Sequence, residues 1–240
     1  MARRGSTPRH ILVLDIGGTH VKWQLDGRGT IGRFESGPKM SPKHMMRQVL
    51  ARVRGLRYDA ASVGYPGLVF RGRIVAEPHN LGRGWVGFDF ERAFGKPVRV
   101  INDAAMQAIG SYRGGRMLFL GLGTGLGAAL IIDGVVEPTE LAHLPYRHGR
   151  SFEDYLGERG RRRLGDARWR RKVMDVIEQL RYAFEVDYVV VGGGNAARLE
   201  RLPRYVRLGD NDNAFLGGLR LWGRGGVPLH LPGVGAMAAR

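Results

Sequence analysis

Two glycine-rich turns carry the clearest signs of chemistry in this 240-residue sequence. The first, Asp15-Ile16-Gly17-Gly18-Thr19, follows a short apolar strand. Glycines let backbone N–H groups approach a phosphate closely, and the Thr19 hydroxyl adds a further donor. Asp15 is placed to hold a hydrated magnesium ion, which usually takes one or two carboxylates together with phosphate and water. A plain tight hairpin is the alternative explanation for the same residues.

The second turn is Gly123-Thr124-Gly125, within residues 121–127. It does not match the dinucleotide fingerprint, because the sixth position of G-x-G-x-x-G is Leu126 and a strand is predicted to follow. Two such turns at matching places of two half-repeats are much less expected by chance than either alone. Together they favour a phosphate-binding cleft between the halves.

Two pairs of polar residues could supply such a cleft with a proton acceptor and with groups that bind hydroxyls. Asn102-Asp103 separates a predicted strand at 98–101 from a predicted helix at 104–112. A carboxylate there faces the ligand crevice of an open α/β sheet, and an aspartate N-cap is the alternative. Glu140 and His143 can share one helical face and offer an acceptor and a ring nitrogen. A capping pair on the surface is the alternative there.

The predicted elements that position these residues repeat along the chain. In the first half, strands at 11–15, 21–25 and 30–34 precede a helix with Ser41 as N-cap and Pro42 at its first position. In the second half, strands at 117–122 and 128–132 precede an Asp133-Gly134 turn and a later helical stripe at 169–184. This duplication predicts an α/β protein of two lobes with a cleft between them.

Composition excludes several classes of protein. Without cysteine there are no disulfides, thiolate zinc sites, iron–sulfur clusters or cysteine nucleophiles. No apolar run approaches the roughly 20 residues of a membrane helix. The start of the chain lacks the apolar stretch of a secretory signal, so a cytoplasmic protein with no membrane partner is expected.

The charge is strongly basic, at +16, with 33 arginines against five lysines. Eight of these cations fall within residues 159–172, where the only acidic residue is Asp166. A polyanionic partner drawn in by a positive field explains the excess, and so does an arginine-biased, solvated surface. The run itself is either a solvated helix face or a track for a polyanion.

Seven motifs, taken in order, resemble those of the ROK family of sugar kinases. They are Asp15-Ile16-Gly17-Gly18-Thr19, Gly64-Tyr65-Pro66-Gly67, Asn80-Leu81 with Trp85, Asn102-Asp103-Ala104, residues 122–127, Glu140 with His143, and Gly192-Gly193-Gly194. The resemblance implies the two-lobed, actin-like (ribonuclease H-like) sugar kinase fold. We expect an N-terminal lobe at 11–102 and a C-terminal lobe at 103–222. The glycine- and proline-rich residues 223–240 are expected to form a loose tail.

The resemblance also implies roles for single residues. Asp103 looks like the base that takes the proton from a sugar hydroxyl. The implied sugar ligands are Gly67, Asn80, Asn102, Asp103, Glu140, His143 and Glu153. The implied phosphate ligands are Asp15, Gly17, Gly18, Thr19, Lys22, Gly123, Thr124 and Gly125, with Gly192, Gly193 and Gly194 on the donor side. Magnesium, held by Asp15 directly or through water, is the implied cofactor.

One departure from the family pattern is the absence of its cysteine-rich zinc motif, since residues 144–150 contain no cysteine. No zinc is therefore expected, and the pattern is similar to the polyphosphate-dependent glucokinases within the family. The implied reaction moves a phosphoryl group from inorganic polyphosphate, ATP or both to the 6-hydroxyl of glucose or a close hexose. No DNA partner is expected, because the residues before Ile11 are too few for the helix-turn-helix of family repressors. Dimers are common among such relatives.

Two other functions stay open at this point. One is a strictly ATP-dependent kinase for mannose, fructose or N-acetylmannosamine. The other is a catalytically silent sugar-binding relative that binds nucleic acid through its basic face, against which the intact Asp103 argues.

Overall fold

The computed structural model describes residues 8–210, 212–224 and 229–231. In its first half the elements are β1 (Ile11–Ile16), β2 (His20–Leu25), β3 (Arg28–Glu35), α1 (Pro42–Arg52), β4 (Ala60–Tyr65), β5 (Val69–Phe70), β6 (Arg73–Ile74), α2 (Phe90–Phe94) and β7 (Val98–Asn102). In its second half they are α3 (Asp103–Ser111), β8 (Arg116–Leu122), β9 (Leu126–Ile132), β10 (Val135–Thr139), β11 (Pro145–Arg147), β12 (Arg150–Ser151), α4 (Phe152–Leu156), α5 (Glu158–Leu164), α6 (Asp166–Phe184), β13 (Tyr188–Gly192), β14 (Val206–Leu208) and α7 (Asn213–Arg220). Two short 3₁₀ turns add Leu141–His143 and Ala196–Arg198.

Two five-stranded sheets repeat one plan. The first has the strand order β3-β2-β1-β4-β7 and the second β10-β9-β8-β13-β14. In each sheet an antiparallel three-strand meander is followed by two parallel strands. Parallel neighbours need a crossover connection, which helices supply in both halves. The predicted duplication of an α/β lobe is confirmed.

Local sequence accounts for the boundaries of these elements. Asp26-Gly27 and Asp133-Gly134 both have positive φ at each residue (53° and 64°, 48° and 86°), as the tightest β-hairpin turns require. The Ser41 side chain accepts the His44 N–H at the start of α1, and Pro42 occupies the first turn. The Asp-Gly turns and the Ser41-Pro42 helix start predicted from the sequence are therefore confirmed.

The helices α3 and α7 cross where each has a glycine. A Cβ on Gly110 would run into the Asn213 carbonyl, and a Cβ on Gly217 would run into the Met106 carbonyl. The two backbones therefore touch with no side chain between them. Both helices are buried in the same apolar cluster, which joins strands of the two sheets.

The other side of α7 is fastened to the first sheet. Ser62 Oγ donates to Gly218 O at 2.7 Å, and Trp222 Nε1 donates to Ser62 Oγ at 2.9 Å. The Arg99 guanidinium lies 4.3 Å from the Trp222 ring centroid. The range expected for the C-terminal lobe thus contains a helix that packs against the N-terminal sheet.

The segment expected as a loose tail, 223–240, is described only at 223–224 and 229–231. Arg224 Nη1 donates to Asp26 Oδ1 at 3.1 Å. His230 N–H donates to Gly134 O at 2.7 Å and His230 O accepts the Val136 N–H. Residues 225–228 and 232–240 lie outside the described residues. Within the described part of the chain, no helix combines the length and apolarity needed to cross a membrane.

Candidate active site

The first glycine-rich turn joins β1 to β2 and is held by the chain on either side of it. Gly17 N–H donates to His20 O at 2.9 Å, and Ser36 Oγ donates to Gly17 O at 2.6 Å. A Cβ on Gly18 would stand 2.9 Å from Asn80 Cβ, so only glycine lets the turn meet the loop that carries Asn80. Gly18 and Asn80 then line the same cavity.

Asp15 lies near the end of β1, opposite Lys22 in the β1–β2 register. Burial raises the pKa of Asp15 to about 6, and the Lys22 charge opposes that rise. Its neighbour in β4 is Gly64, where a Cβ would lie 3.5 Å from Asp103 Cα. A Cβ on Gly64 would first run into Met106 Cε, so glycine lets α3 pack closely on β4, which lies between β1 with Asp15 and β7 before Asp103.

Asp103 is the first residue of α3, immediately after β7. The helix cap is Asn102, whose Oδ1 accepts the Ala105 N–H at 3.0 Å while its Nδ2 donates to Gly67 O at 3.1 Å. Asp103 Oδ1 accepts the adjacent Ala104 N–H at 2.8 Å. The N-cap alternative considered for Asp103 is therefore wrong, because the preceding residue already supplies the cap.

The pKa of Asp103 is raised to about 7. The largest cause is burial, which disfavours the charged carboxylate. The charge of Asp15 adds to the rise, and so does that of Glu140. A carboxylate with a pKa near neutrality is matched to accepting and releasing a proton.

Glu140 and His143 flank a 3₁₀ turn rather than a turn of α-helix. Glu140 is the non-helical cap residue and His143 the last residue of the turn. The helical face that they were predicted to share stays a prediction, but both side chains line one cavity. The Glu140 side chain makes no capping hydrogen bond. Desolvation raises the pKa of Glu140, as does Glu153, while His143 and His79 lower it.

The second glycine-rich turn joins β8 to β9 and is held by three residues from later in the chain. Glu153 Oε2 accepts the Leu126 N–H at 3.1 Å. Asn195 Nδ2 donates to Gly123 O at 3.3 Å and to Glu158 Oε2 at 3.1 Å. The Glu158 N–H also donates to Gly123 O, at 3.1 Å. Glu153, predicted as a sugar ligand, thus supports this turn while lining the cavity.

The triple glycine after β13 packs against the second turn. Gly193 has φ +84°, and a Cβ there would run into the Leu122 carbonyl. A Cβ on Gly192 would stand 2.7 Å from Phe119 Cζ, whereas one on Gly194 would meet nothing within 4 Å. Backbone contact at Gly193 therefore brings β13 against the end of β8.

A cavity of about 310 Å³ brings most of the predicted site residues together. The predicted residues that line it are Gly18, Gly67, Asn80, Asn102, Asp103, Gly123, Thr124, Gly125, Glu140, His143, Glu153 and Gly193. The predicted residues that do not line it are Asp15, Gly17, Thr19, Lys22, Gly192 and Gly194. All the predicted sugar ligands therefore line one cavity, whereas only some of the predicted phosphate ligands do.

Two further polar residues line the cavity and were missed by sequence reasoning. Gln107 lies one helical turn after Asp103, and that spacing alone could have indicated it. Its Oε1 is buried with no hydrogen-bond partner within the described chain. His79 directly precedes Asn80 in a loop and belongs to no motif that the sequence analysis used.

Four of the eight cations at 159–172 form ion pairs with acidic residues inside or outside the run. Arg161 contacts Glu158 at 2.8 Å and Asp166 at 2.6 Å, and Arg162 contacts Glu158 at 2.7 Å. Two more pairs are Arg170–Glu200 at 2.9 Å and Lys172–Asp175 at 3.0 Å. The exposed cations of the run without an ion pair to any described residue are Arg159, Arg163, Arg168 and Arg171.

The cysteine-free segment forms the β11–β12 hairpin. Its Tyr146 ring packs on Phe152 at 5.4 Å and on Tyr155 at 5.0 Å between centroids. Among the described residues, no group of three or more His, Cys, Asp or Glu side chains could hold a metal ion. Magnesium takes as few as one or two carboxylates together with phosphate and water, and Asp15, next to the first glycine turn, fits that requirement. The Asp15 carboxylate also has no hydrogen-bond partner within the described chain.

The family model that matches this sequence is that of the ROK family, over residues 11–138. The chain belongs to the ROK family. Polyphosphate glucokinase of Mycobacterium tuberculosis is 25% identical over 218 residues, which cover 82% of each chain. The chain described here has carboxylates and glycine turns around one cavity. It is a phosphotransferase of the sugar-kinase type.

Solved structures show the same two-lobed actin-like fold. Inorganic polyphosphate/ATP-glucomannokinase from Arthrobacter sp. strain KM superposes with a TM-score of 0.74 at 24% identity, over 91% of this chain and 99% of that one. A ROK family glucokinase from Streptomyces griseus, in complex with glucose and AMPPNP, gives 0.70 at 19% identity, over 90% and 100%. The predicted fold is therefore confirmed.

Proposed function

We propose that this ROK family member phosphorylates the 6-hydroxyl of glucose, or of a close hexose, with inorganic polyphosphate or ATP as donor. The observation that carries the proposal is Asp103, a carboxylate with a pKa near 7 that faces the cavity beside two glycine turns. The names of the Mycobacterium and Arthrobacter relatives support glucose-type acceptors and both donors.

The acceptor side of the proposal rests on polar side chains that converge on the cavity. Asn80, Glu140, His143 and Glu153 offer amide, carboxylate and imidazole groups, which suit the paired donor and acceptor character of sugar hydroxyls. The Asn102 amide already makes two hydrogen bonds, one in the helix cap and one to Gly67 O. It therefore orders the wall of the site as well as offering its remaining amide hydrogen to the sugar.

The chemical step needs a base on the acceptor and a fixed donor. We assign Asp103 to accept the proton of the attacking hydroxyl, a role that contributes roughly 10²–10⁴ in rate. The neighbouring carboxylates Asp15 and Glu140 make Asp103 a stronger proton acceptor because their charges disfavour its ionised form. Phosphoryl transfer otherwise depends on position and charge neutralisation more than on covalent help.

The donor side consists mainly of backbone groups. The Gly17 N–H is bonded to His20 O and the Gly123 N–H to Gly125 O, so these two groups close the turns themselves. Gly18, Thr124 and Gly125 line the cavity, and their backbone N–H groups are the ones that would bind phosphate oxygens. Asp15 is the residue that would hold magnesium, directly or through water. When bound, the ion supplies neutralisation of the phosphate charge.

The choice between the two donors depends on charge outside the cavity. The net charge of +16 favours a polymer of phosphates, because a positive field attracts a polyanion over long distances. Since Arg161 and Arg162 are already paired with Glu158, a track within 159–172 would depend on its unpaired arginines. Polyphosphate is therefore the donor that we favour.

The Asp103→Asn variant tests the proposed base. It keeps shape and hydrogen bonding but removes the proton acceptor, so we expect turnover to fall at least about 100-fold with sugar binding retained. The wild-type kcat/KM should rise with pH and level off above about 7, because the base acts only when ionised. Asp133→Asn, in an exposed turn far from the cavity, is the matched control and should keep full activity.

A matrix of hexoses against ATP and polyphosphate, scored for hexose 6-phosphate, tests the overall reaction. Near-normal turnover in Asp103→Asn would overturn the base assignment alone. A preference for mannose, fructose or N-acetylmannosamine with ATP only would replace the acceptor and donor assigned above. No turnover with any pair, despite sugar binding, would identify a silent relative.

A further inference from the structure

We propose that His79 is an additional acceptor-binding residue that sets which sugar hydroxyls the site accepts. The inference rests on the proposed sugar kinase function and deepens it by adding a specificity residue. It is carried by the position of the His79 ring in the cavity, across from Glu140 and His143.

The loop that carries His79 is held firmly from behind. The Glu77 carboxylate accepts the backbone N–H groups of Gly84 at 3.1 Å, Trp85 at 3.2 Å and Val86 at 3.4 Å. Trp85 is fully buried, and its ring lies 5.6 Å from that of Tyr65. These contacts tie the two ends of the loop 77–86 together, and His79 and Asn80 of this loop both line the cavity.

His79 meets groups that come from the other lobe. Its ring centroid lies 6.4 Å from that of His143, with the planes at 66°. Its charge, when protonated, lowers the pKa of Glu140, as does that of His143. His79 is thus a neighbour of the Glu140–His143 pair, and it acts at that end of the cavity.

The imidazole of His79 is available to a ligand. Neither ring nitrogen has a hydrogen-bond partner within the described part of the chain, and the side chain is exposed to the cavity. A neutral imidazole has one donor and one acceptor, which matches a sugar hydroxyl. By contrast, His44 on α1 is bonded to Gln48 at 2.9 Å and lies outside this cavity. His79 therefore has a free hydrogen-bonding capacity that His44 lacks.

A site that hydrogen-bonds a hydroxyl discriminates strongly against an analogue without it, because the site's polar groups are left unpaired. His79 would hydrogen-bond a sugar hydroxyl near Glu140, and not the reacting hydroxyl at Asp103. The substrate class is a hexose with that hydroxyl present and correctly oriented. Removal of the ring should then relax selectivity at this one position of the sugar.

The test compares wild type, His79→Ala, His79→Gln and the control His44→Ala on glucose and its 1-, 2-, 3- and 4-deoxy analogues. One hydrogen bond corresponds to a loss of roughly tenfold or less in affinity, so we expect KM for glucose to rise about three- to tenfold in His79→Ala. Turnover and the donor KM should stay within about threefold, and His79→Gln should recover part of the loss. Selectivity against one deoxy analogue should shrink by the same factor.

Three outcomes would overturn the inference: an unchanged glucose KM, an equal loss for every analogue, or a change in donor KM as large as that in sugar KM. If the wild-type protein phosphorylates no hexose, the proposed function fails. The role of His79 in sugar binding is then tested by titration calorimetry. Weaker binding in His79→Ala but not in His44→Ala would then support the inference. Equal binding in both variants, or no sugar binding by wild type, would end it.

Discussion

The turn at 17–19 is closed by its own strands and by Ser36 of the adjoining segment, whereas the turn at 123–125 is held by Glu153, Glu158 and Asn195 from further along the chain. The two turns occupy equivalent places in the duplicated sheets. They share their residue types but not their supports. Similar motifs in the two halves therefore differ in which distant residues can disturb them.

The support of the second turn also involves two cations of the basic run. Glu158 lies at the start of α5 and contacts Arg161, Arg162 and Asn195 at once. These contacts hold the pKa of Glu158 far below its usual range, led by the hydrogen bonds from Arg161 and Arg162. Two of the eight cations thus help to fix the support of the second turn.

The largest effect should come from Gly193→Ala. A side chain there has a strained left-handed backbone and overlaps the Leu122 carbonyl, so we expect a loss of about 2–5 kcal/mol in the free energy of unfolding. Gly194→Ala is the matched control, because its Cβ would meet nothing, and it should change stability by less than about 0.5 kcal/mol. Urea unfolding measures both. Equal losses would show that the second turn does not depend on close backbone packing.

Glu158→Gln should have an intermediate effect, which is confined to the KM of the phosphoryl donor. The variant keeps the backbone N–H that bonds Gly123 but weakens the contacts to Asn195 and the arginines, so we expect the donor KM to rise roughly tenfold. The sugar KM should be unchanged.

Ser36→Ala is the counterpart at the first turn. It removes one hydrogen bond to Gly17 O from a turn that is otherwise closed by its own strands, so the donor KM should change about threefold or less. Steady-state kinetics with ATP and with polyphosphate measures both variants. A larger effect from Ser36→Ala would invert the comparison of the two turns.

The smallest effect should come from the exposed arginines of the run that form no ion pair with a described residue. If they attract polyphosphate, replacing Arg159, Arg168 and Arg171 by Gln should raise the polyphosphate KM about threefold and reduce its salt dependence. The ATP KM should change little, since ATP has few charges. Arg161→Gln, by contrast, should affect both donors alike through Glu158. An unchanged polyphosphate KM in the triple variant would leave the run as a solvated surface.

The sequence predicts those parts of the molecule that local chemistry determines. The hairpin turns, the Ser41 cap and the strand-to-helix junction at Asn102-Asp103 all follow from residue types and spacing, and the structure confirms them. The convergence of Asp103, Glu140 and Asn80 on one cavity follows from the family resemblance.

The remainder depends on contacts between residues far apart in the chain. His79 sits in a loop whose shape depends on Glu77 reaching backbone N–H groups several residues later, which no periodicity reveals. Arg170 pairs with Glu200, thirty residues later, which the sequence does not indicate, whereas the pair of Glu158 with Arg162 has the i,i+4 spacing of a single helix. The crossing of α7 onto the first sheet likewise depends on glycines whose role is visible only in three dimensions.

The glycine contact between α3 and α7 has a consequence for Asp103. Because the two backbones touch at Gly110 and Gly217, a side chain at either position would push the helices apart. Helix α7 is bonded to the first sheet through Ser62, and α3 shares its apolar cluster with strands of both sheets. Asp103 begins α3, so the place of this carboxylate in the cavity depends on two glycines that lie outside the cavity.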